Sequence, residues 1–162
     1  MLNIDDVLLS ALQQQAKASP RRRAHRNIHT ELSDPVQRLL IAIEPDSYVK
    51  PHRHLDAAKW ELFLVLKGRI AALIFDEEGR IEKRMMLSTT SGGQLGFEIP
   101  PGVWHCVVAL EPDTLFFEVK PGPYVQPTDK DFARWAPNEG EAACASFLQW
   151  FVGGEVGSEP PV

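Results

Sequence analysis

The chain is poor in cysteine, in basic charge and in long apolar runs, and each shortage excludes something. Two cysteines in 162 residues, Cys106 and Cys144, are too few for a disulfide scaffold and fit reduced thiols in a cytoplasmic protein. Lys and Arg number 17 against 22 Asp and Glu, a net charge of −5. That balance argues against a nucleic-acid protein, which needs surplus positive charge to hold phosphates. No apolar run approaches the ~20 residues that span a bilayer. Met1 to Asp6 carries two acids and no basic stretch, so no secretory leader is expected. There is also no internal repeat and no low-complexity tract.

What is present reads as one ordinary globular domain. Hydrophobic residues make up 44% and charged residues 24%, and the length suits a single core. Residues 3–17 predict a helix, with Asn3 as cap, Asp5 and Asp6 at its positive end, and Ile4, Leu8, Ala11 and Leu12 on one face. Pro20 ends it. The middle of the chain predicts short strands at 36–44, 47–54, 60–67, 70–76, 80–87, 95–99, 104–110 and 114–120. Turn residues separate them: Pro45-Asp46, Gly68-Arg69, Gly79, Gly92-Gly93, Pro100-Pro101-Gly102 and Pro112-Asp113. Even spacing of short strands indicates a sandwich or barrel. The runs 60–67 and 70–75 are apolar on both faces, so both faces should be covered. The expected lid is a terminal helix or the partner in a homodimer. Residues 121–138 read as an ordered wrapping loop and 139–151 as a helix with Ala142, Ala143, Ser146, Phe147 and Trp150 on one face. Gly153 to Val162 is expected to fray.

Four residues carry the candidate chemistry. His52 and His54 are two apart, and alternate side chains of a strand share a face. Glu61 is the lone charge in WELFLVL, and an unpaired carboxylate in an apolar barrel strand is costly. His105 follows the Pro100-Pro101-Gly102 turn and heads the apolar run WHCVVAL. Each alone has a plainer reading: a His-x-His in a loop, a rim Glu61 paired with Lys59 or Lys50, a core histidine. Together they favour one divalent ion. Three imidazoles and a carboxylate suit transition metals such as Fe, Mn, Zn or Ni better than Ca or Mg. Four ligands would leave positions open on a six-coordinate ion, as a catalytic site requires.

The segment PHRHLDAAKWELFLVLKG resembles the first cupin motif, and EIPPGVWH resembles the second. There are two departures. The gap from His54 to Glu61 is two residues longer than usual, which keeps the parity, and the glycine before the second motif is displaced to Gly93 or Gly96. With FFEVKPGPY and DKDFARWAP added, roughly residues 20–140 resemble the WbuC family of cupin-fold metalloproteins. The resemblance implies a mainly β fold: a single cupin barrel (double-stranded β-helix, or jelly roll) with N-terminal and C-terminal helices. The expected divisions are a helix at 1–20, the barrel at 27–125, loop and helix at 126–152, and a tail at 153–162. It also implies a metal-bound protein often encoded among bacterial surface-polysaccharide genes, and no particular reaction.

Secondary candidates follow from parity. Tyr48 and Lys50 would share the face of His52 and His54 and meet a substrate in the cavity, or Lys50 is a surface lysine. Glu98 would face the cavity as a general base or ligand-supporting residue, or pair with an arginine. Arg21, Arg22, Arg23 and Arg26, with His25 and His29, read as a solvated linker in preference to a diphosphate grip. Cys106 alternates with His105 and should point into the core. The functional expectation is a metal-dependent enzyme acting on a small polar, sugar-like or sugar-nucleotide-like molecule, by isomerisation, epimerisation or oxygenation. The alternative is a ligand-binding or sensing cupin without turnover. Neither nucleic acid nor membrane is expected as a partner.

Overall fold

The computed structural model describes residues 1–90 and 93–161. Among the described residues, eight strands form two antiparallel sheets: β1 (Arg23–Asn27), β2 (Val36–Ile43), β3 (Glu61–Lys67), β4 (Arg69–Phe75), β5 (Ile81–Ser88), β6 (Gly96–Ile99), β7 (Trp104–Ala109) and β8 (Thr114–Pro121). One sheet runs β1-β2-β8-β3-β6 and the other β5-β4-β7. They pack face to face as a jelly roll around Ile43, Phe63, Val65, Ile70, Ala72, Val107 and Phe116, with a helix near each end of the chain. The alternation of side chains fixes what enters this core. Along β7, His105, Val107 and Ala109 face inward, while Trp104, Cys106 and Val108 face a second core behind the sheet. Gly68 makes the tight β3–β4 turn at φ 74°, and a Cβ there would collide with Thr114.

The outer faces are covered by the chain itself, unevenly. Helix α1 (Asp6–Ala18) lays Leu12 and Ala16 on Leu40, Ala42 and Leu115. It starts at Asp6, not at residue 3, because the Asp5 carboxylate accepts the Leu8 N–H at 3.0 Å and takes the capping role expected of Asn3. Helix α2 (Cys144–Gly153) covers β4 and β7 with Phe147 and Phe151. It begins later than predicted because residues 138–143 form turns, with the Cys144 N–H on the Glu141 carbonyl. The expected lid over β4 is therefore the chain's own C-terminal helix. On β3 the outward Leu64 and Leu66 stay exposed.

Three other expectations change. Residues 47–54 do not form a strand; only His52 makes a β-bridge, since Pro51 lacks the N–H a continuous ladder needs. The tail is anchored as far as Glu159, where fraying was expected. Gly157 N–H donates to the Ile81 carbonyl and Ile81 N–H to Ser158, and Arg80 binds Glu159 at 2.7 Å. The arginine run is neither linker nor anion grip: Arg21 and Arg23 both hold Glu139, Arg22 holds Asp46, and β1 pairs with β2. Of the expected Gly92-Gly93 turn, Gly92 lies outside the described residues.

Candidate metal centre

His52, His54, Glu61 and His105 converge at one end of the barrel, their ligand atoms all within 4.8 Å of one another. Local structure places each. His52 and His105 exchange backbone hydrogen bonds, His52 N–H to His105 O at 3.0 Å and His105 N–H to His52 O at 2.9 Å. Their rings then lie 4.4 Å apart. Glu61 opens β3 opposite Ile99 and is 2% exposed, as is His105. His54 reaches in from the 53–60 loop, whose two extra residues preserve the facing of Glu61. The Glu61 carboxylate lies at the middle of the group: Oε1 is 2.8 Å from His54 Nε2 and Oε2 is 3.0 Å from His105 Nε2.

The imidazole tautomers follow from their neighbours. His52 Nδ1 is 3.1 Å from the Lys50 carbonyl and His105 Nδ1 is 2.9 Å from the Val103 carbonyl. A carbonyl only accepts, so both Nδ1 atoms carry hydrogen and both Nε2 atoms turn lone pairs inward. At His105 that lone pair meets a carboxylate oxygen, and the contact closes only around a proton or a metal cation. Two ligand atoms at ~2.1 Å from one ion and at right angles lie about 3.0 Å apart, which matches the Glu61 contacts to His54 and His105. Three nitrogens and an oxygen, oriented from behind by backbone carbonyls, fit a divalent transition ion.

Two charged neighbours of the site escaped the sequence reading. Lys120 Nζ lies 2.8 Å from Glu61 Oε1 and 2.7 Å from Glu118 Oε1. Where a proton and not a metal closes these contacts, burial opposes the charge on Glu61, but the hydrogen bonds to His105 and His54 and the Lys120 charge hold its carboxyl well below the usual range. Burial also pushes Lys120 down, and its two carboxylate partners more than reverse that. Burial raises Glu118, and the neighbouring Glu61 charge adds to the rise against Lys120. The signal was available: Phe116, Glu118 and Lys120 alternate on β8, so two opposite charges share its inner face.

A cavity of about 140 Å3 adjoins the group, walled by His52, Glu61 and His105 at one end, by Glu118 and Lys120 beside them, and by Ile41, Ile43, Val49, Phe63, Val107 and Phe116. The remaining candidates are not in it. Tyr48 is buried behind the three-stranded sheet, stacked on Phe151 at 5.7 Å with its hydroxyl donating to Pro137 O. Lys50 donates to Asn138 and lies over Phe132 in a separate surface groove. Both miss because Val49, not its neighbours, faces inward. Glu98 pairs with Leu62 on the outer side of β6 and is exposed, so it meets neither the cavity nor an arginine. Cys106 points into the core away from the histidines, as expected.

Burial brings His52 down to about 3, with the charge of His105 reinforcing the effect. The unfolded chain therefore takes up this proton first. In metal-free protein, stability is full above the ordinary His value of 6.5 and falls as pH drops toward 3; Glu61 acts in the same direction below 4.5. Urea midpoints of metal-stripped protein should decline between pH 6.5 and 4.5, and His52→Gln should flatten that decline. A wild-type midpoint constant across this window would contradict the account.

A family model described as a domain of unknown function (DUF6016) matches residues 4–87. The chain belongs to that family. The DUF6016 match takes in His52, His54 and Glu61 and stops before His105. No curated protein matches the sequence. Among solved structures, a cupin superfamily protein from Desulfitobacterium hafniense superposes with a TM-score of 0.50 at 14% identity, covering 68% of this chain and 86% of that one. KdgF from Halomonas sp. gives 0.49 at 21% identity, covering 64% and 83%. Oxalate decarboxylase from Bacillus subtilis gives 0.49 at 17%, covering 70% of this chain and 28% of that one. At such identities the likeness is one of fold, and the first of these carries it: the barrel is a cupin jelly roll.

Proposed function

We propose that this DUF6016 member is a metal-dependent cupin enzyme that holds one divalent transition ion on His52, His54, Glu61 and His105 and acts on a small polar molecule in the adjoining cavity. The observation that carries the reading is the His105–Glu61 contact. Its Nε2 lone pair and a carboxylate oxygen face each other at 3.0 Å with Nδ1–H already committed to Val103. A bound ion would supply Lewis-acid polarisation of a ligand oxygen. The chain's own residues do the rest: backbone carbonyls orient the His52 and His105 imidazoles, apolar side chains line the cavity, and Glu118 and Lys120 stand within it as an ion pair. The resemblance to the WbuC family supports a sugar-related context. At about 140 Å3 the cavity is below the ~300–1,000 Å3 of ordinary small-molecule sites, which favours a free small molecule over a nucleotide sugar.

Metal analysis of protein purified without a histidine tag tests this directly. About one equivalent of a transition ion per chain is expected, as purified or after reconstitution. Less than a few tenths of an equivalent after both would overturn the reading.

A further inference from the structure

The charges and walls of the cavity narrow what can enter it. A divalent ion brings two positive charges, and Glu61 cancels one. Lys120 and Glu118 form a pair at 2.7 Å that adds no net charge. Arg23 reaches the wall, but its guanidinium is held by Glu139, Ser47 and the Tyr48 carbonyl, and Arg21, which shares Glu139, has its charge in solvent. One positive charge therefore remains in a site between the two sheets, lined largely by apolar side chains. Net charge against apolar walls is costly unless a ligand of opposite sign answers it. The apolar part of the lining, with Ile41, Ile43, Val107 and Phe116, has no side chain that can form a hydrogen bond.

We infer that the cavity takes a small monoanion with one oxygen-bearing charged end toward His52, Glu61 and His105 and a short aliphatic body against Ile41, Ile43, Val107 and Phe116. The inference rests on the metal reading above and departs from its sugar-related context, since the hydroxyls of a sugar would find no partner among these apolar side chains. A dianion would leave a surplus negative charge beside Glu118. A neutral alcohol would leave the site charge unanswered. A bare formate or acetate would leave the apolar wall in contact with water.

Protein loaded with Co(II) provides a readout independent of turnover, since the visible bands of the ion respond to a change of ligand. Titrations with butyrate, succinate, acetate and butanol compare the four classes. Butyrate should shift the bands saturably, with a dissociation constant at least tenfold lower than each of the other three. Ile41→Phe fills part of the cavity and should weaken butyrate at least tenfold while Co(II) stoichiometry stays at one. If stoichiometry is one and butyrate leaves the bands unchanged, or binds no better than succinate, acetate or butanol, the ligand class is wrong and the metal site stands. An Ile41→Phe protein that keeps its metal and binds butyrate as the parent does likewise overturns the cavity assignment. If Co(II) fails to load, both readings fall.

Discussion

The double variant His52→Ala/His105→Ala is expected to lose its metal, from about one equivalent to below about a tenth, while keeping a folded β structure. Two reasons make the effect large. The pair supplies two of the three nitrogens, and what remains, His54 and Glu61, is contested by Lys120, whose ammonium already lies 2.8 Å from Glu61 Oε1. With the imidazoles gone, the ammonium is the nearest cation to that carboxylate. The fold should persist because the exchange between residues 52 and 105 is made by backbone atoms, which alanine retains. Elemental analysis reads the first outcome and circular dichroism the second. Full metal in a folded double variant excludes the proposed ligand set.

The largest loss of stability should come from the other side of the three-stranded sheet. Phe151 is fully buried and packs on Tyr48, Phe75, Phe147 and Trp150, with ring centroids 5.5 to 6.1 Å away. Phe151→Ala removes a ring from the centre of that cluster and leaves a void that the flanking strands cannot close. The cost is about 3–5 kcal/mol, or a fall in melting temperature of about 6–20 °C for a chain of this length. The neighbouring Val152 is 45% exposed, and Val152→Ala should stay within ~0.5 kcal/mol. Thermal unfolding of the two variants side by side tests the assignment. Equal melting temperatures would mean that α2 is not docked as described.

Much of this arrangement was legible because the sheet period is two and one face is always buried. That rule placed seven strands within a residue or two, sent His105 inward and Cys106 outward, and kept Glu61 facing the histidines across a lengthened loop. It failed where the ladder is interrupted. Tyr48 and Lys50 were counted in register with His52, but the segment carries Pro51 and pairs only at His52, so alternation has no hold on residues 47–50. Glu98 was counted inward on an edge strand whose register against Leu62 turns it outward. The tail was read from its weak apolar content, and what anchors it is backbone pairing to Ile81, which composition does not encode. Glu118 and Lys120 were legible in principle. Charges on an inward strand face need partners, and both partners lie at the site.

The paired backbone bonds between residues 52 and 105 have a kinetic consequence. Two donors that sit on one rung of a ladder are tied by two backbone hydrogen bonds, so their spacing is set before an ion arrives. Little searching among conformations is then left for the moment of capture. An arriving ion has to accept a donor spacing fixed beforehand, so discrimination among ions would rest on bond length and preferred angles. His54 joins the set from the 53–60 loop, where its carbonyl accepts the Gly102 N–H at 2.8 Å, so a third donor is held by backbone as well.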